Sequence, residues 1–265
     1  MTLWVRYEHQ GAAGFGTLDA TGRIQPHAGD LFASPAPSGA VLGLDQVRLL
    51  APVRPGKFVG LWNNFHALAA RLGAAIPTEP LYFLKSPGSI QDPDGAIVAP
   101  AGYAGKTLYE GELGIVVGRR CADVSEADAA AAIFGFTCVN DVTALDLLNA
   151  DPSFAQWARA KSCDSFGPCG PAIATGLDWS ALRVRTLLNG RERQNYPASD
   201  MILPPARIVS LISREMTLEP GDLIACGTSI GALPMRPGMV VEVVIEGIGT
   251  LRNRFEARGE PAVLD

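Results

Sequence analysis

Histidine is scarce in this 265-residue chain, with only His9, His27 and His66 present, too few for a multi-histidine zinc site. The five cysteines (Cys121, Cys138, Cys163, Cys169 and Cys226) form no C-x-x-C pair. Their odd number disfavours a full disulfide framework, so a reducing, cytoplasmic compartment is expected. Positive charge is also short: 22 Lys and Arg against 27 Asp and Glu give a net charge of −5. That balance argues against a nucleic-acid or anionic-membrane partner. Pro and Gly break every uncharged stretch before it reaches the roughly 20 apolar residues of a membrane-crossing helix. A signal-peptide layout is missing too, since the opening ten residues already carry Glu8. Gly-rich phosphate loops and regular βαβ alternation are absent, which speaks against a doubly wound nucleotide-binding fold.

What is present fits a soluble globular protein with a sizeable core, at 48% hydrophobic and 18% charged residues. With 29 Gly and 20 Pro but only 7% aromatics, many turns and short strands are expected. Residues 3–7, 15–18 and 23–25 read as short strands between Gly and Asp turns, and 47–53 as a connecting strand. Pro52 and Pro55 stiffen a link there, so a small N-terminal β domain over 1–52 and a larger domain over 53–265 are predicted. A short helix is predicted over 64–72, with Asn64 as its cap and Gly73 at its end. Ser125-Glu126-Ala127-Asp128 opens a second helix with a hydroxyl cap and first-turn carboxylates. Residues 113–117 and 133–139 are continuous apolar runs of strand length, and 240–251 reads as a late hairpin. The class is therefore β-rich α+β.

The most informative segment is Glu110-Gly111-Glu112, directly followed by a wholly apolar run. Residues i and i+2 of a strand share a face, so the two carboxylates project together. Asp141, at the end of the 133–139 strand, could bring a third. Three such groups in a low-dielectric site repel one another, and a hard, oxygen-preferring dication (Mg²⁺, Mn²⁺ or Ca²⁺) resolves the conflict. Spacing alone leaves a second arrangement open, with both glutamates on a wet strand face and Asp141 capping the next helix.

Several further motifs accompany these acids in order. They are Asn140-Asp141-Val-Thr, Lys161-Ser-x-Asp164-Ser-Phe166-Gly-Pro-x-Gly-Pro171, Asn189-Gly-Arg-x-Arg-Gln194, Leu218-Glu-Pro-Gly-Asp-Leu-Ile224, Gly227-Thr-Ser229 and Glu246-Gly-Ile-Gly-Thr-Leu251. With them the chain resembles the fumarylacetoacetate hydrolase family over most of residues 56–256. The resemblance implies a mixed β-sandwich roll behind the small N-terminal β domain, usually a homodimer, with Glu110, Glu112 and Asp141 as ligands of Mg²⁺ (or Mn²⁺ or Ca²⁺). It also implies a small oxo-acid as the partner, with chemistry often found in bacterial breakdown of aromatic compounds.

A 2,4-dioxo or 2-oxo acid presents two oxygens that chelate a dication, which then stabilises an enolate. The primary expectation is a hydrolase cleaving a C–C bond in a 2,4-dioxo acid of the acylpyruvate or fumarylacetoacetate kind. The alternative is an isomerase or decarboxylase of a 2-oxo or 2-hydroxymuconate-type acid, and a non-catalytic family member is the third reading. Lys161, in a Gly- and Pro-rich segment, is expected near a developing oxyanion. Gln194 is expected to donate to a substrate oxygen, and Gly227 and Thr228 to approach the substrate; structural hydrogen bonds and a plain turn are the alternatives. His66 is the candidate base for activating water. The pattern departs from the family in two places. Ala69 stands where many members have a Glu three residues after the histidine, leaving Asp92 or Asp94 as possible substitutes. Leu145 stands where members commonly have Arg, and Leu148 where some have Gln, which points to a less anionic or more apolar substrate.

Overall fold

The computed structural model describes residues 1–257. The end of the predicted larger domain, 258–265, lies outside the described residues. Among these, no helix is long and apolar enough to cross a membrane.

The fold is β-rich α+β, as expected, with mixed sheets. The centre of the largest sheet is the antiparallel pair Gly111–Val117 and Ile133–Asn140. Every residue of Gly111–Val117 is buried, and alternation divides its side chains between two cores. Leu113, Ile115 and Val117 join Phe136, Val184 and Val243 in one, whereas Val116 joins Val139, Phe58 and Leu223 in the other. A strand packed on both faces explains the uninterrupted apolar run in the sequence. The first of these cores is shared with a second sheet of five strands, including Arg183–Leu188, Arg191–Pro197 and the late hairpin Val240–Ile245 with Gly249–Glu256.

The N-terminal strands Thr2–His9, Ala12–Leu18 and Arg23–Ala28 form a meander. Thr2–His9 also pairs with Gly167–Thr175, so the meander continues the large sheet. The predicted strand over 47–53 is only Arg48–Leu50, paired with Thr2–His9; Pro52 lacks the N–H that would extend the ladder.

The longest helix, Pro205–Glu215, buries Ile208, Val209, Leu211 and Ile212 in the first core. Glu126–Ala132 starts where predicted, with Ser125 Oγ accepting from the Asp128 backbone N–H at 3.2 Å. The helix His66–Leu72 ends at Gly73, whose left-handed φ of 62° closes it. Its start differs from expectation. Asn64 is not the cap: it is buried, donating to Leu203 O and Cys226 O. The Asp200 carboxylate, from far along the chain, accepts from the Ala67 N–H at 3.0 Å instead.

Candidate metal centre

The antiparallel register of the central pair sets Gly111 opposite Asn140 and Glu112 opposite Val139, so Glu110 and Asp141 meet at the strand ends. Two further bonds lock that corner: Asp141 N–H donates to Glu110 O at 2.8 Å, and Glu110 N–H donates to Asn140 Oδ1 at 3.0 Å. One carboxylate oxygen from each of Glu110, Glu112 and Asp141 lies within 4.8 Å of the others. Convergence, the first of the two arrangements left open by spacing, is therefore the one the fold adopts. Gly111 is required between the two glutamates because a Cβ there would collide with the Thr186 hydroxyl of the second sheet.

Each carboxylate is held differently. Glu110 Oε1 accepts from Thr143 Oγ1 at 2.6 Å, and its Oε2 lies 2.8 Å from Lys161 Nζ. Asp141 Oδ2 lies 2.6 Å from Lys161 Nζ. Its Oδ1 is 2.7 Å from Lys85 Nζ, a charge contact off the line of an aligned hydrogen bond. Glu112 Oε2 accepts from the Gly227 N–H at 2.8 Å, while Glu112 Oε1 is buried with no hydrogen-bond partner. Such an orphaned oxygen is costly. Burial, reinforced by the charges of Asp141 and Glu110, pushes Glu112 well above the ordinary carboxylate range. Burial alone would raise Asp141 as well, but the ammonium groups of Lys161 and Lys85 outweigh it and hold Asp141 below its usual value. Lys161 is buried too, yet the surrounding carboxylates outweigh burial and raise it.

The donor set fits a hard divalent ion: three carboxylates, no nitrogen or sulfur within the cluster, and one oxygen, Glu112 Oε1, that lacks any partner from the chain. Lys161 and Lys85 offset the charges of Glu110 and Asp141, which leaves Glu112, whose Oε1 has no partner, as the carboxylate whose ionised form a dication would stabilise.

The other expected residues lie at varying distances from this centre. Lys161 belongs to it, but closes the short helix Trp157–Lys161 and is not part of a Gly- and Pro-rich loop; that loop-like composition belongs to the following strand, Gly167–Thr175. Gln194 is buried, with its amide spent inside the protein. Its Nε2 donates to Thr228 Oγ1 at 2.8 Å and to Ser229 O at 3.3 Å, and its Oε1 accepts from Gly111 N–H at 3.1 Å. Gly227 holds Glu112 through its N–H, and Thr228 lines the cavity above the centre. His66 is exposed at the first turn of its helix and is not among the cavity walls, to which Leu68, Arg71 and Leu72 of that helix contribute. Neither Asp92 nor Asp94 substitutes for the missing Glu, since Asp92 pairs with Arg48 and Asp94 with Arg252.

Lys85 was missed by sequence reasoning. It ends the strand Leu81–Lys85, fully buried, with its ammonium 5.6 Å from the centre of the Phe58 ring. A lysine after four largely apolar residues is the only signal the sequence carried. Thr143, present in the quoted Asn140-Asp141-Val-Thr motif, went unassigned although it fixes Glu110.

The centre opens into a cavity of about 410 Å³, within the range of small-ligand sites. Leu145 and Leu148 are part of its wall, beside Phe83 and Trp157, whose rings stack at 5.0 Å.

Comparison with known proteins agrees with this geometry. Residues 57–256 match the fumarylacetoacetate (FAA) hydrolase C-terminal family, and residues 3–52 match a family described as Rv2993c-like, N-terminal. Protein Rv2993c of Mycobacterium tuberculosis is 42% identical over 233 residues, covering 87% of this chain and 86% of that protein. The crystal structure of 2-hydroxyhepta-2,4-diene-1,7-dioate isomerase from Mycobacterium marinum superposes with a TM-score of 0.89 at 37% identity, covering 98% of this chain and 100% of that one. Fumarylacetoacetate hydrolase from Exiguobacterium antarcticum superposes at 0.85 with 31% identity, covering 97% and 100%. The chain belongs to the fumarylacetoacetate hydrolase family, whose members are enzymes, hydrolases and isomerases or decarboxylases among them, that typically use a divalent metal.

Proposed function

We propose that this protein is a Mg²⁺-dependent enzyme, with Mn²⁺ or Ca²⁺ able to replace Mg²⁺, that acts on a small 2-oxo acid as an isomerase or decarboxylase. The observation that carries the reading is the convergence of Glu110, Glu112 and Asp141, with Glu112 Oε1 buried and without a partner, at a corner whose Glu110 lines the cavity. Glu110, Glu112 and Asp141 would hold the ion. Bound there, it supplies Lewis-acid stabilisation of the enolate that forms as a C–H or C–C bond of the acid breaks.

The chain's own residues prepare that step. Thr143 and Gly227 fix the orientations of Glu110 and Glu112, so the anionic pocket does not reorganise during reaction. Lys161, kept protonated by its carboxylate neighbours, serves as a fixed cationic donor beside the cavity and not as a base. Gln194 acts through Thr228, holding that hydroxyl and the Gly227–Ser229 turn in place. The largely apolar walls offer no group placed to activate water, which suits a reaction needing an enolate and a proton but no hydroxide.

Isomerisation or decarboxylation is favoured over hydrolysis because His66, the one candidate for activating water, lies outside the cavity walls. The named activity of the M. marinum protein supports the same choice. C–C hydrolysis of a 2,4-dioxo acid remains a second reading, supported by the likeness to the E. antarcticum hydrolase. The homodimer implied by the resemblance belongs to this proposal as well.

Turnover of a panel of 2-oxo, 2-hydroxymuconate-type and 2,4-dioxo acids tests the reading. Activity is expected to vanish with chelator, return with Mg²⁺ and be lost in Glu110→Ala. His66→Ala is expected to retain most activity on 2-oxo acids; a His66→Ala loss of about 100-fold or more, confined to 2,4-dioxo acids, would favour hydrolysis.

A further inference from the structure

We infer that the substrate is a 2-oxo acid with a single carboxylate and an apolar tail of several carbons, not a dicarboxylate. The inference rests on the proposed function, because the metal centre supplies the place for the oxo-acid head.

The cavity has two chemical parts. Its charged groups near the centre, Glu110 and Lys161, are tied to each other at 2.8 Å, and Thr143 is bonded to Glu110. These belong with the head group. Much of the remaining wall is hydrocarbon or aromatic ring, with Leu108, Leu145 and Leu148 beside the stacked pair Phe83 and Trp157. At about 30 Å³ for each water-sized group, the volume of about 410 Å³ admits roughly 13 heavy atoms. A pyruvyl head has about six, so close to half the space is left for a tail.

Three apolar residues in the wall support the same conclusion. Leu72 is 54% exposed, Ile230 48% and Trp62 40%. A hydrocarbon tail would cover them, whereas a terminal carboxylate set against Leu145 and Leu148 would be desolvated with no partner. Arg71, the cation that lines the cavity besides Lys161, is exposed at the last turn of its helix, where a pair with a carboxylate is screened by water and adds little.

The test uses calorimetry and tryptophan-fluorescence quenching on the Mn²⁺-saturated protein. Pyruvate, straight-chain 2-oxo acids from four to eight carbons, and the matching 2-oxo diacids are titrated in turn. Affinity is expected to rise about three- to fourfold per methylene, with each diacid about 30-fold weaker than its length-matched monoacid. Leu145→Arg is expected to reverse that preference. Affinity independent of tail length, or diacids that bind as well as monoacids and lose the gain in Arg71→Ala, would overturn the inference while leaving the head site intact. If no acid binds, pyruvate included, the proposed function falls and the inference with it.

Discussion

Lys85 Nζ stands 2.7 Å from Asp141 Oδ1, and both side chains are completely buried. Two strands far apart in sequence thus place a cation behind the acidic corner, on the opposite carboxylate oxygen from the one that Lys161 engages. The pair fixes Asp141 and limits the repulsion among the three acids before any ion binds.

Replacing Lys85 by Met tests that role. Breaking a buried pair costs about 3 kcal/mol when one partner keeps its charge, so the metal-free variant is expected to melt roughly 6–12 °C below the wild type. Added Mg²⁺ is expected to raise the melting temperature of the variant more than that of the wild type, because the ion replaces the missing positive charge. Equal shifts in a calorimetric scan would show that Lys85 does not share the acids' charge.

Glu112 and Asp141 make opposite predictions for pH. Burial raises Glu112 in the folded state, so above the ordinary carboxylate range the folded protein holds a proton that the unfolded chain has lost. Its contribution therefore falls as pH rises toward the elevated folded value. Asp141 is depressed, so its contribution is present above the ordinary range and is lost as pH falls through the lowered value. Denaturant titrations of the metal-free protein are expected to show stability decreasing upward from about pH 5. Glu112→Gln should flatten that limb and leave the acid limb in place. An unchanged profile would place the titration elsewhere.

Gly227→Ala probes the turn that holds Glu112. The glycine has φ +91°, and an added Cβ would press on Leu61 O at 3.2 Å and Asn64 Cβ at 3.3 Å. A cost of about 1–3 kcal/mol is expected from the strained backbone, together with weaker metal binding as the N–H leaves Glu112 Oε2. Melting and Mn²⁺ titration by calorimetry read the two effects separately; a stability loss with unchanged Mn²⁺ affinity would separate the turn from the centre.

Local features of the sequence were legible because short-range physics decides them. The Ser125 cap, the Gly73 stop and the late hairpin are set by residues within a few positions of each other. Glu110 and Glu112 could be placed together because strand alternation is local, and the apolar run after them marked a buried strand. The parts that depend on distant partners were not legible. Asn64 looked like a helix cap, yet its amide bridges Leu203 and Cys226. Asp200, which accepts from the Ala67 N–H in the first turn, is more than a hundred residues away. Gln194 carries no local sign that its amide is consumed by Thr228, Ser229 and Gly111. His66 drew attention as the only histidine in the matching region, and only the fold shows that its helix presents Leu68 and Arg71 to the cavity instead.

The central claim is that Glu110, Glu112 and Asp141 grip one divalent ion. Anomalous diffraction from crystals soaked in Mn²⁺ tests it directly. One strong peak per chain is expected, within about 2.5 Å of a carboxylate oxygen from each of the three residues, Glu112 Oε1 among them. A map without a peak at that corner, or with manganese bound only at surface acids, would contradict the account.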